Sequence, residues 1–168
     1  MKRQAGRRCV GWDLDWPERL FITAVRVWLA GASARADFRQ TLRYNLVLGD
    51  AAARSLDGFL DVLVRGARRV LWFRQCDTRR VTADERTLVA LVAAAQNRDA
   101  DRVQAHICWL LPKSVQAEAL SHLEEFVAAL EKSGLRLSLV PAPRVPVARV
   151  VAPSGAVRRS RRAPPSRA

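Results

Sequence analysis

Residues 82–111, TADERTLVALVAAAQNRDADRVQAHICWLL, constrain the fold more than any other stretch of the chain. Thr82-Ala83-Asp84-Glu85 has the spacing of a capping box, in which the threonine hydroxyl takes the Glu85 amide and the Glu85 carboxylate reaches back to the Thr82 amide. Two acids in the first turn suit the positive end of a helix dipole. Leu88, Leu91, Val92 and Ala95 then recur at helical spacing and define one buried face. Asn97 is expected to end this helix in a left-handed conformation and Asp99 to cap the next. Val103, Ile107 and Leu110 form the second stripe, and Pro112 follows its end. The stretch reads as two helices joined by a short turn.

The same period runs through the rest of the chain. One helix is predicted over 17–30, with Pro17 in its first turn, Phe21, Ala24, Val25 and Trp28 on one face, and Gly31 after its end. A second, over 36–48, carries Phe38, Leu42 and Leu46, with Gly49 as its C-cap. Asp50 is placed to cap a third, over 51–65, whose core stripe is Ala52, Leu56, Phe59 and Leu63. Asp57, Asp61 and Arg65 fall one turn apart on the opposite side. They read as a solvated charged face rather than as a catalytic carboxylate pair. A last helix, over 114–132, has Ser114 as its cap and Ala119, Leu123, Phe126 and Leu130 as its stripe.

Two stretches lack helical spacing. Val70-Leu71-Trp72-Phe73 is a short apolar run, and residues 135–140 (LRLSLV) alternate; the two are expected to be extended and could pair as short strands. A chain of 168 residues that is 49% hydrophobic can build one real core and is not wholly disordered. The prediction is a single all-α, bundle-like domain of about six helices over residues 12–140, with a minor extended element. A basic arm at 1–11 and a Pro/Arg-rich, disordered tail at 141–168 flank it.

The net charge of +13 is unevenly placed. Residues 1–8 hold four basic residues and no acid, and residues 141–168 hold seven arginines and no acid, so the middle is nearly balanced. Within that middle, one segment stands out. Residues 65–80 carry Arg65, Arg68, Arg69, Arg74, Arg79 and Arg80 against the single acid Asp77. Basic surfaces of this kind attract polyanions. The chain has 26 arginines and only three lysines, a bias that GC-rich codon usage also produces.

Cys9, Cys76 and Cys108 are odd in number and widely spaced, which suits a reducing cytosol better than a disulfide framework. Residues 20–31 are followed by an A-x-A site, Ala32-Ser33-Ala34, as in an export signal. Arg26 interrupts the apolar run, however, and Asp13, Asp15 and Glu18 precede it, so a core helix and a cytoplasmic protein are expected. The run is also too short to span a bilayer.

Chemistry-bearing residues are few. His106 and Cys108 lie two apart on a helix, so they diverge and cannot share an ion. Cys76, His106 and His122 lack zinc-type spacing, and no metal or cofactor is expected. Cys76 sits among arginines, whose charge favours the thiolate, and is the candidate redox thiol. The chain has no P-loop, no G-x-G-x-x-G and no H-E-x-x-H, and no enzymatic activity is predicted. The paired helices at 82–111 have a loose helix-turn-helix look, with Arg102, Gln104 and His106 on the second, but the turn lacks glycine and His106 borders the apolar stripe.

Thr82-Ala83-Asp84-Glu85, with Leu88, Leu91 and Ala95-Gln96 after it, resembles a family of small, uncharacterised all-helical proteins of α-proteobacteria, over about residues 15–130. Such proteins carry His and more Cys just before the equivalent helix. Here that segment is Phe73-Arg74-Gln75-Cys76-Asp77-Thr78, with one Cys and no His, which counts further against a metal. No function follows from the resemblance.

The functional expectation is a small binding or regulatory protein that docks onto a protein partner. Arg65, Arg68, Arg69, Arg74, Arg79 and Arg80 with Trp72 are its candidate surface, because Arg and Trp concentrate binding energy at interfaces. The alternative is non-specific nucleic-acid binding through the same arginines and through Arg158, Arg159, Arg161 and Arg162 of the tail.

Overall fold

Among the described residues six helices follow in chain order: α1 (Trp16–Leu29), α2 (Arg35–Asn45), α3 (Gly49–Gly66), α4 (Ala83–Gln96), α5 (Ala100–Leu110) and α6 (Lys113–Lys132), with a 3-10 turn at Ala32–Ala34. A computed structural model describes residues 14–138; the whole arm and tail lie outside them, as do residues 12–13 of the expected domain and 139–140 of the expected strand. No strand occurs among the described residues, so the domain is all-α.

The expected stripes face one core. Phe21, Ala24, Val25 and Trp28 of α1 are buried, as are Leu56, Phe59 and Leu63 of α3 and Leu123, Phe126 and Leu130 of α6. The Phe21 and Phe126 rings meet with centroids 5.8 Å apart. Each such side chain removed from water contributes about 1.5–3 kcal/mol. The central pair is α3 against α6, with α2 lying on α3, and α4 bridging α5, α6 and α1.

Two glycines mark where helices come closest. A Cβ on Gly58 would stand 2.6 Å from Cε1 of His122, so the imidazole of α6 occupies the space a side chain on α3 would need. A Cβ on Gly49 would stand 2.4 Å from Cα of Arg43. Gly49 therefore opens α3 against the backbone of α2 and is not a C-cap; α2 ends at Asn45, with Leu46 extended.

Several end signals act differently from expectation. The capping box at Thr82 forms with both of its hydrogen bonds, and the Asp99 side chain accepts from the Arg102 amide at 3.1 Å. The left-handed residue between α4 and α5 is Arg98 (φ 56°), not Asn97 (φ −86°). Leu48, not Asp50, precedes α3, and Asp50 pairs instead with Arg43 across the α2–α3 corner. The residue before α6 is Pro112, and Ser114 lies inside the first turn. Asp57 is not on a solvated face: it accepts from Nε1 of Trp28 at 2.6 Å and pairs with Arg35, tying α1 and α2 to α3. The charged-face reading holds for Asp61 and Arg65, an exposed pair at 2.9 Å.

Residues 135–138 do not pair with residues 70–73. The buried side chain of Gln96 takes the role of a strand partner. Its Nε2 donates to the Leu135 carbonyl and its Oε1 accepts from the Leu137 amide, both at 2.8 Å. The Ser138 amide donates to Glu18 of α1. Alternation over residues 135–138 is thus satisfied, with Leu137 buried and Arg136 exposed, by a side-chain amide in place of a neighbouring strand.

Candidate functional site

The irregular residues 67–82 between α3 and α4 are held by an ion pair that has no side-chain exposure. Arg26 reaches from α1 and presents its guanidinium fork to Glu85 in the first turn of α4, with Nε to Oε1 at 2.7 Å and Nη2 to Oε2 at 3.0 Å. The same guanidinium donates to the carbonyls of Gln75 (3.3 Å), Thr78 and Arg80 (2.8 Å). Glu85 also accepts the Thr82 amide at 2.7 Å and the Arg74 amide at 3.1 Å. A charge taken out of water needs such partners to remain charged. Burial alone would raise the pKa of Glu85; the bonds from Arg26 and from the Thr82 and Arg74 amides, with the charge of Arg26, outweigh it and hold the carboxyl below its ordinary value.

Asp84 secures the outer part of the loop. Its carboxylate accepts the Trp72 amide at 2.7 Å and is paired with Arg69. Burial opposes the charged form here as well, and the Arg69 and Trp72 bonds overcome it, so this pKa is also lowered. Arg69 in turn lies 3.9 Å over the ring of Trp109 on α5, a cation–π contact. The Thr82 hydroxyl donates to the Trp72 carbonyl at 2.6 Å while accepting from the Glu85 amide. Both backbone polar groups of Trp72 are therefore fixed by the cap of α4.

Its side chain nevertheless points to solvent: Trp72 is 70% exposed and its neighbour Val70 75%. Leu71 and Phe73, the alternate residues, pack on the core. An open groove of about 380 Å³ runs beside the segment, walled by Leu71 and Phe73 on one side and by Leu60 and Val64 of α3 on the other.

The six arginines of residues 65–80, the first of them in the last turn of α3, do not act alike. Arg65 is engaged by Asp61 and Glu118, and Arg69 by Asp84. Arg68 donates to the Cys108 carbonyl at 3.0 Å and keeps an exposed side chain. Arg74, Arg79 and Arg80 are exposed. Arg158, Arg159, Arg161 and Arg162 lie outside the described residues. Cys76 is a free, exposed thiol in the loop.

The remaining candidates stand apart. Among the described residues no group of three His, Cys, Asp or Glu side chains is arranged to hold a metal, so Cys76, His106 and His122 form no such cluster. Burial, with the nearby charge of Arg102, lowers the pKa of His106. His122 packs over Gly58 with Nδ1 buried and without a hydrogen-bond partner. Cys108 is a half-buried free thiol that accepts from Gln104 Nε2 at 3.0 Å. No described helix is long and apolar enough to cross a membrane.

Arg26 and Glu85 are the pair that the sequence reading did not assign to this region. A charge at position 26 between Ile22, Val25 and Leu29 was the available signal, since an arginine on a core face requires a partner; nothing in the sequence pointed to one 59 residues away. Comparison with protein-family models, curated proteins and solved structures gives no match.

Proposed function

We propose that this chain is a small, non-enzymatic cytoplasmic binding or regulatory protein that docks onto a protein partner through the face formed by residues 64–74. The observation that carries the reading is Trp72. Its backbone is bonded at both the amide and the carbonyl, yet the residue is 70% exposed. A large aromatic presented on an immobilised backbone loses little entropy on binding and is the residue type that concentrates interface energy. Val64 and Val70 extend the apolar area, and Arg68 and Arg74 supply a basic rim. The free thiols of Cys76 and Cys108 suit a reducing compartment.

One observation favours a second reading, non-specific binding to nucleic acid. Arg74 and Arg80 are exposed and have no acidic partner among the described residues. Side-by-side affinity capture with the full chain, Trp72→Ala and Arg74→Glu/Arg80→Glu separates the two. A protein partner should resist moderate salt, and Trp72→Ala should weaken it by about 30-fold or more, the loss expected of an interface anchor. Bound material that absorbs at 260 nm, is shed steeply by salt and is indifferent to Trp72→Ala would replace protein docking by polyanion binding.

A further inference from the structure

We propose that residues 70–74 form a receiving edge onto which an extended, acidic segment of the partner adds as a strand, a mode that rests on the docking reading above. The argument begins with the parity of the backbone. The Trp72 amide and carbonyl and the Arg74 amide are all bonded to the N-terminal turn of α4, through Asp84, Thr82 and Glu85. The Val70 carbonyl accepts from Arg69, which is itself paired with Asp84. Even-numbered residues thus point their polar groups one way, as alternate residues of an extended chain do. Burial alternates in the same register: Val70, Trp72 and Arg74 are exposed, and Leu71 and Phe73 are half-buried.

The odd-numbered residues face the other way, and the amides and carbonyls of Leu71 and Phe73 have no hydrogen-bond partner among the described residues. The segment therefore alternates as an extended chain does, bonded on one edge by the side chains of a helix cap and unbonded on the other. No residue of α4 lines the apolar groove between this segment and α3. An added strand would satisfy the open amides and carbonyls and place alternate side chains in that groove, which is how edge addition combines affinity with selectivity.

Charge decides what can be added. Arg65 and Arg69 are paired with acids of the fold, but Arg68, Arg74 and Arg80 are exposed with no acidic partner among the described residues. A second copy would bring a second set of the same exposed arginines, Arg68, Arg74 and Arg80, to the edge. The C-terminal 28 residues of this chain hold seven arginines and no acid, so they are repelled as well. An occupant that alternates apolar and acidic residues is the one this edge favours.

The probe is a displayed library of random short peptides selected against the full chain, with the enriched sequences resynthesised. The expected peptides alternate apolar residues with Asp or Glu. N-methylation of one alternate set of their amides weakens binding about tenfold or more, while methylation of the other set is tolerated. In the complex, the Leu71 and Phe73 amides become protected from hydrogen exchange. Peptides that are basic, that tolerate methylation of either set, or that leave Leu71 and Phe73 exchanging as in the free chain would overturn strand addition, as would the absence of any enriched peptide. A Trp72-dependent protein complex surviving such a result would leave the docking face standing without this mode; loss of both would remove the face itself.

Discussion

Glu85→Gln tests the anchor of the loop with the smallest change of shape. Glu85 accepts four hydrogen bonds within the fold: two from Arg26 and one each from the Thr82 and Arg74 amides. A glutamine retains one carbonyl oxygen and turns an NH2 toward the other pair of donors. Two donors then lose an acceptor, and Arg26 loses its counter-charge at a site with no side-chain exposure. Bonds to charged groups contribute about 1.5–3 kcal/mol each, and breaking a buried pair from one side costs about 3–5 kcal/mol, so the two routes agree on a loss of about 3–5 kcal/mol. Against a typical total of about 5–15 kcal/mol the variant still folds. Urea denaturation should show a lower midpoint with the slope unchanged. The pH dependence is a second check. Glu85 titrates below its ordinary 4.5 in the fold, so its stabilisation is complete above that value and is lost as pH falls through the folded pKa. The gap between wild type and Glu85→Gln should therefore be widest near neutral pH and close in acid. A loss under about 1 kcal/mol, or a gap that does not shrink in acid, would refute the assignment of Arg26 and Glu85 as the centre of the loop.

Three further changes probe other contacts. Gly58→Ala drives a Cβ into the His122 ring and should cost about 1–3 kcal/mol in denaturation, with His122→Ala in the same chain relieving most of it. Thr82→Ala removes both the cap of α4 and the donor to the Trp72 carbonyl, a loss of about 1–2 kcal/mol that Thr82→Ser should largely avoid. Gln96→Ala releases residues 135–138 and should speed exchange of the Leu137 amide several-fold, while a substitution at exposed Arg136 leaves it unchanged.

The helices were legible because their signals are local. A capping box, apolar stripes and helix-ending prolines act within a few residues: α1 and α4 start where Pro17 and Thr82 place them, and α5 ends before Pro112. Ambiguity arose where two residues could serve one role. Asn97 and Arg98 compete for the left-handed position, and residue type favours asparagine; the bonds from Arg98 to the Ala95 carbonyl and from Asp99 to the Ala94 carbonyl set the turn one residue later. The partners in long-range pairing left no trace in the sequence. Nothing in LRLSL names Gln96 as its partner, and the place of Asp57 between Trp28 and Arg35 depends on how three helices cross. Of the candidate surface, the arginines and Trp72 were visible as composition. The division between bonded arginines (Arg65, Arg69) and exposed ones without an acidic partner (Arg74, Arg80) was not.

The cap of α4 is also the clamp of the loop, and this links two events that are usually separate in time. The first turn of a helix frays on its own in most proteins, and a surface loop opens on its own. Here the Thr82 hydroxyl that caps the Glu85 amide also holds the Trp72 carbonyl, and the Glu85 carboxylate that takes the Thr82 amide also holds Arg74 and Arg26. The loop and the start of α4 should open and close as one cooperative unit, with the Trp72, Arg74 and Glu85 amides exchanging at a shared rate. A ligand that quiets the loop would then be felt first as a stiffening of the helix behind it.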